Sequence, residues 1–302
     1  STVGQLTGLG MYTRECLRAL EKTQTAHTFI PITVIKKNLR TPSRILWDQI
    51  GLPFVALAKS VDALFIPAFS VPHFPKPVVA TVHDILGVIH PEQFASKSAR
   101  FYWTRVLPHS LKRADRLIAI SEHTKREVIE HCGILADRID VIPLAANHHF
   151  RRLDDGAPIA SVLKRFGITA PFILTVGTQE PRKNYVRLIE AFASARRGVA
   201  QLVIVGKTAH ATRDMQQVIT KYRLHDVVRC VDYIRTLDLV ALYNACLFFV
   251  MPSLYEGFGL PALEAMCCGA PVLVSQTTSL PEVVGDAGML LDPYDVVAMR
   301  DR

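Results

Sequence analysis

Short apolar runs alternate with helix-patterned stretches along almost the whole chain, and that rhythm constrains the fold more than any other feature. Strands spaced by helices lie parallel, so the alternation predicts an α/β architecture. In the first half Ala63–Phe69, Pro77–His83, Arg116–Ser121 and Ile139–Leu144 read as strands. In the second half Phe172–Gly177, Gln201–Gly206, Val228–Tyr233, Leu247–Ser253 and Pro271–Gln276 do so more clearly. The stretch Arg151–Pro171, with its Asp-Asp-Gly and a proline, breaks the rhythm and reads as an inter-domain connection. Two domains are expected, residues 1–160 and 161–302, each long enough for its own core.

Composition narrows the class. Hydrophobic residues make up 49% and charged ones 21%, a globular profile without a disordered block. The most apolar stretches, Leu52–Val71 and Leu239–Tyr255, are interrupted by Lys59, Asp62 and Asn244 and fall short of a bilayer span. No basic-then-apolar signal segment opens the chain. The six cysteines form no C-x-x-C pair and read as reduced core residues, which points to a reducing, cytoplasmic compartment.

Charge is uneven. Residues 1–165 carry 22 Lys and Arg against 14 Asp and Glu, while the remainder balances at 13 against 13. The surplus of +8 asks for an acidic or membrane-surface partner on the N-terminal side, and no nucleic-acid module accompanies it. Arg100–Arg116 mixes Phe101, Tyr102, Trp103, Val106 and Leu107 with five basic residues. Such a helix either rests on anionic headgroups or turns its apolar side into the core.

The chemistry is concentrated where strands end, as ligands in parallel sheets bind beyond the strands' carboxyl ends. Glu256 and Glu264 stand eight positions apart, joined by Gly257-Phe258-Gly259-Leu260 and a helix opened by Pro261. Strand, glycine loop and helix N-terminus make an anion site, with a carboxylate on each side to accept from sugar hydroxyls. Gly177 ends a strand shortly before Arg182-Lys183-Asn184, where a planar guanidinium fork and a compact ammonium approach a diphosphate from different angles. Basic side chains at a helix start oppose the dipole, which favours an anion there, and neither reads as a core residue. His83 closes the strand Pro77–Val82, and Ser121 reads as the N-cap of an ordinary helix.

These residues carry a resemblance. Glu256…Glu264 resembles the E-x7-E motif of the retaining glycosyltransferases of family 4, with Pro252-Ser253-Leu254-Tyr255 before it. The likeness runs on through Ala265–Val272 and Ser279–Gly288, and Val176–Asn184 is similar to the family's donor-phosphate loop. Gly8-Leu9-Gly10, with Tyr12, Arg14 and Glu15, resembles the family's G-x-G-x-Y-x-R-E segment, a glycine loop ahead of a helix at Met11–Lys22. Ala145 stands where the family usually has glycine.

The resemblance implies a GT-B fold, two Rossmann-like domains facing across a cleft, with this chain cut at both ends. It implies hexose transfer with retention from a nucleoside diphosphate sugar to a glycan or lipid-linked acceptor in cell-surface polysaccharide synthesis. Arg182 and Lys183 would hold the donor phosphates, Glu264 the ribose and Glu256 the transferred sugar. Gly8, Gly10, Gly177, Gly257, Phe258, Gly259 and Leu260 would line the donor, and His83 would face the sugar or the acceptor. With no Asp-x-Asp pair evident, no metal and no further cofactor is expected. His83-Asp84 and His90-Pro91-Glu92 resemble bacterial polysaccharide mannosyltransferases, which leans the donor to GDP-mannose over a UDP-sugar. The alternatives are a sugar-nucleotide epimerase of the same architecture and a non-catalytic nucleotide-sugar-binding protein. The expected place is cytoplasmic, peripheral at the inner face of the cell membrane.

Overall fold

The computed structural model of the protein describes residues 8–23, 26–32, 41–68, 70–94, 96–154, 156–195 and 200–302. The chain forms two compact units, Ser1–Pro143 and Leu144–Arg302. The expected boundary after residue 160 therefore moves to 143. Residues 144–160 belong with the second unit because Phe150 is buried in its core and Ala146, Leu153 and Ile159 pack against it.

The first unit begins with α1 (Gly8–Lys22). Next come α2 (Thr41–Leu46) and α3 (Leu52–Ala58), joined by a π-helical turn at Trp47–Gly51. Strands β1 (Leu64–Ile66) and β2 (Val78–Val82) follow, then the short α4 (Leu86–Ile89). A second π turn, Tyr102–Val106, joins α5 (Lys97–Phe101) to α6 (Leu107–Leu111). β3 (Arg116–Ala119), α7 (Glu122–Cys132) and β4 (Ile139–Val141) complete the unit. The strands form one parallel sheet in the order β1-β2-β3-β4. Ser121 caps α7 by accepting from Thr124 N at 3.0 Å. Phe69, expected at a strand end, lies outside the described residues.

The helical stretch over residues 97–111 turns its apolar side inward: Tyr102, Leu107 and Leu111 are buried in the sheet's core. Arg100, Arg105, Lys112 and Arg113 stay exposed, as does Phe101. The glycine loop expected at Gly8–Gly10 is instead the first turn of α1. Among the described residues no helix is long and apolar enough to cross a membrane.

The second unit alternates helix and strand throughout. Its helices are α8 (Ala157–Phe166), α9 (Tyr185–Ala195), α10 (Thr212–Lys221) and α11 (Thr236–Ala245), then α12 (Leu260–Cys267), α13 (Leu280–Val284) and α14 (Val296–Asp301). Between them run β5 (Phe172–Val176), β6 (Gln201–Val205), β7 (Val228–Val231), β8 (Phe248–Met251), β9 (Val272–Ser275) and β10 (Met289–Leu291). The sheet is parallel in the order β10-β9-β8-β5-β6-β7. Strand residues alternate between two cores: Leu174, Val203, Phe249 and Val274 face one, Leu202, Ile204, Val250 and Leu273 the other. Period-two side chains covered on both faces are why these strands read as unbroken apolar runs. β10, at the edge of the sheet with Met289 exposed, is the strand the apolar rhythm does not announce.

Ala145 takes no positive φ, so alanine is unstrained there. Of the six free cysteines only Cys132 and Cys268 are buried, fewer than the apolar runs suggested. The charge surplus also divides differently at the observed boundary. Residues before 144 carry 18 basic against 12 acidic side chains and those after it 17 against 15, giving +6 and +2.

Candidate functional site

Neighbouring parallel strands β5 and β8 deliver their following loops to the same edge of the sheet. After β5 the chain runs through Gly177, makes a 3₁₀ turn at Pro181–Lys183 and enters α9. After β8 it runs through Pro252–Gly259 into α12. Leu254 N donates to Arg182 O at 2.8 Å and ties the two loops together.

Asn184 strengthens that tie. Its backbone is left-handed, φ 61°, a conformation asparagine tolerates better than most residues. Its side-chain amide donates to Pro252 O at 3.0 Å and Pro293 O at 2.7 Å, so one residue pins the β8 and β10 loops. Nothing in the spacing of Arg182-Lys183-Asn184 announced this role.

The charged residues converge. Lys183 Nζ lies 2.6 Å from Glu256 Oε1, and Arg182 donates to Glu256 Oε2 at 3.0 Å and to Tyr255 O at 3.2 Å. Arg182 Nε reaches Glu180 at 3.0 Å. Lys183 is only 8% exposed at its side chain, against 27% for Arg182. Lys183 is thus a buried residue, contrary to the sequence reading, because Gly177 leaves room for its stem. A Cβ built on Gly177 would stand 2.9 Å from both Lys183 Cε and the Tyr185 hydroxyl. A Cβ on Gly206, at the end of β6, would lie 1.9 Å from Gly177 O, so both glycines are required by close approach. Burial is the largest influence on both charged partners. At Glu256 it pushes the carboxyl up, but Lys183 and Arg182 outweigh it and the net shift is down. At Lys183 burial prevails over Glu256 and lowers the ammonium.

The loop before α12 is held from beneath. Ser279 Oγ lies 2.9 Å from Glu256 O and 2.8 Å from Phe258 O, and Glu256 N donates to Thr278 Oγ1 at 3.2 Å. Gly257, Phe258 and Gly259 are buried, and Gly259 caps α12 with φ 111°. In the first turn of α12 Pro261 has no N–H, and the N–H groups of Ala262 and Leu263 donate to Gly259 O at 3.0 and 3.4 Å, so what the helix offers an anion is the positive end of its dipole. Glu264 sits one turn in, where burial raises its carboxyl and the Tyr243 hydroxyl, donating at 3.2 Å, opposes the rise in part, leaving it at about 7. Tyr243 is fully buried and meets Phe150 and Phe249 edge to face. Its placement on α11 gave no sequence signal.

The remaining candidates lie in the first unit. His83, just past β2, donates from Nε2 to Pro67 O at 3.0 Å and packs edge-on against Tyr12 at 4.7 Å. Burial lowers its pKa, with the Pro67 carbonyl opposing, so the imidazole is neutral at neutral pH. Tyr12 OH pairs with Thr81 Oγ1 at 3.0 Å, which brings α1, carrying Gly8 and Gly10, to the carboxyl end of β2. Among the described residues no three His, Cys, Asp or Glu side chains converge as a metal site would require.

Both units match known proteins. Residues 11–150 match the family model Glycosyltransferase Family 4, and residues 164–302 match Glycosyl transferases group 1. The chain is 36% identical over 274 residues to O-antigen chain mannosyltransferase B of Escherichia coli, covering 89% of this chain and 69% of that protein. It is 34% identical over 245 residues to the serotype-specific mannosyltransferase WbdA of Escherichia coli, covering 78% of this chain and 29% of that protein. The fold is similar to WaaG, a glycosyltransferase involved in lipopolysaccharide biosynthesis, with a TM-score of 0.72 and 17% identity over 98% of this chain and 87% of that one. It is also similar to Anabaena HepE, solved with UDP and glucose, with a TM-score of 0.68 and 23% identity over 82% of this chain and 68% of that one.

Proposed function

This chain belongs to glycosyltransferase family 4, and on that premise we propose that it transfers a hexose, mannose by preference, from a nucleoside diphosphate sugar to a glycan or lipid-linked acceptor with retention. The process is the synthesis of a cell-surface polysaccharide, and the place is cytoplasmic, at the inner face of the membrane. The observation that carries this reading is the Lys183–Glu256–Arg182 cluster at the neighbouring ends of β5 and β8, beside the N-terminus of α12.

When the bond between sugar and diphosphate breaks, charge develops on the leaving phosphate. Arg182, Lys183 and the positive end of the α12 dipole are preorganised to meet it, and no metal ion takes part in this reading. A carboxylate has about four lone-pair positions, so Glu256 anchors both cations and still accepts from sugar hydroxyls. Glu264 accepts from the ribose, and Gly177 and Gly257–Leu260 let the backbone approach the donor. His83, neutral, hydrogen-bonds a hydroxyl of the sugar or acceptor, with Gly8 and Gly10 on the same unit. The preference for mannose is supported by relatives named as mannosyltransferases, and GDP as its carrier follows from the resemblance of His83-Asp84 and His90-Pro91-Glu92. A lipid-linked acceptor would bring the first unit, with its +6 surplus, to an anionic membrane surface.

Calorimetric titration with GDP, UDP and GDP-mannose, followed by anomer-resolved NMR of the product, tests the reading. Tight GDP-mannose binding and an α-linked product are expected. Isomerisation of the sugar nucleotide without acceptor, or binding without turnover, would overturn it.

A further inference from the structure

The helical stretch over residues 41–58 turns apolar side chains in two directions. Its inner side closes on the first unit's core through Ile45, Leu52 and the buried Ala56. Leu46, Ile50, Phe54 and Leu57 point away from it and are 60, 61, 73 and 46% exposed. Spacings of four, four and three residues align them in one row, about 16 Å long at 1.5 Å per residue. Asp48 and Gln49 are the polar residues between them, and both are half-buried. Gln49 is held within the unit: it donates to Ser70 Oγ and Val71 O at 3.2 Å and accepts from Arg113 at 2.7 Å. A surface helix ordinarily shows water a polar face, and a row of large apolar side chains marks a docking surface instead.

Charge identifies the occupant. The exposed Lys59 follows α3 directly, and Arg113, through Gln49, places the basic stretch 97–113 beside the apolar row. The unit carries 18 basic against 12 acidic residues. A second copy docking through this face would bring two surfaces of like sign together, which disfavours association. An anionic bilayer offers acyl chains to the row and negative headgroups to the bases.

We propose that residues 41–58 seat the protein on an anionic membrane, with Leu46, Ile50, Phe54 and Leu57 inserted at the boundary of headgroups and acyl chains and Lys59 and Arg113 on the headgroups. This rests on the membrane reading above and sharpens it. Surface charge alone gives binding that salt abolishes, whereas insertion adds a part that salt leaves in place.

The test is flotation of the whole chain with vesicles of phosphatidylcholine containing about 30% phosphatidylglycerol, and with phosphatidylcholine alone, at low and high salt. Wild type is expected on the anionic vesicles, with a fraction surviving high salt. Ile50→Ser/Phe54→Ser, and separately Leu46→Ser/Leu57→Ser, should lower that partition at least tenfold with unchanged melting temperature and GDP affinity. Vesicle binding equal in wild type and both variants would overturn insertion while leaving a charge-based membrane reading intact. Absence of any vesicle binding would overturn both. Concentration-dependent dimerisation abolished by the same variants would assign the face to a second copy and overturn the proposal.

Discussion

The loops after β5 and β8 and the helical stretch 41–58 invert the usual arrangement in opposite senses. In the former, charged side chains are drawn inside: Lys183 and Glu256 are buried against each other. In the latter, apolar side chains are turned outside, with Phe54 the most exposed large apolar residue among those described. Each departure is stable for a different reason. Buried charges persist only when paired, so the first region is a closed network that no member can leave cheaply. Exposed apolar groups forgo burial but break nothing, so the second region tolerates substitution. A ligand site made of charges is thus coupled to stability, and a docking face is not.

Lys183→Ala presses hardest on that difference. It leaves Glu256 buried with Arg182 alone, and about 3 kcal/mol of stability should be lost. Turnover should fall roughly 10²–10³-fold if the diphosphate reading holds. Arg182→Ala, at a partly exposed position, should cost similar activity with a smaller drop in melting temperature. Equal thermal effects in the two variants would erase the distinction between buried anchor and ligand contact.

Asn184→Ala comes next, with about 2–3 kcal/mol expected from the lost bonds to Pro252 O, Pro293 O and Arg187 and from a left-handed backbone. Asn184→Gly should recover only the backbone part. Full recovery by glycine would show that the bridge from Pro252 to Pro293 adds nothing.

Glu264 gives the pH dependence. Its folded pKa of about 7 lies above the ordinary 4.5, so ionising it costs folding free energy. Wild type should lose stability relative to Glu264→Gln as pH rises from about 4.5 to 7. Affinity for GDP, compared with Glu264→Gln to cancel the ligand's own titration, should gain as pH rises through about 7. Tyr243→Phe removes the bond that favours the carboxylate, so both midpoints should move upward. Unmoved midpoints would make Tyr243 a packing residue only.

The smallest effects are expected on the other side of the comparison and from metal removal. Phe54→Ser should change stability by no more than ~0.5 kcal/mol. Excess EDTA should leave transfer activity unchanged, and activity lost on chelation and restored by magnesium would refute the metal-free leaving-group reading.

Parallel α/β architecture, nine of the ten described strands and the motif residues were legible in the sequence, because doubly covered strands and glycine-bearing loops leave local patterns. Gly206 shows the limit: its place after a strand was visible, but the 1.9 Å approach to Gly177 O was not. Gly8 and Gly10 show another, since a glycine pair fits a loop and the first turn of a helix equally well.

Residue types and spacing fixed which side chains carry charge at the strand ends: Arg182, Lys183, Glu256 and Glu264. Only tertiary structure decided that Lys183 is buried, that Tyr243 reaches Glu264, and that Asn184 joins two other loops. Only tertiary structure separated Leu46, Ile50, Phe54 and Leu57 from the core residues beside them. A helical period of 3.6 records that a row of apolar residues exists, while which row meets protein and which meets solvent depends on what packs against the helix.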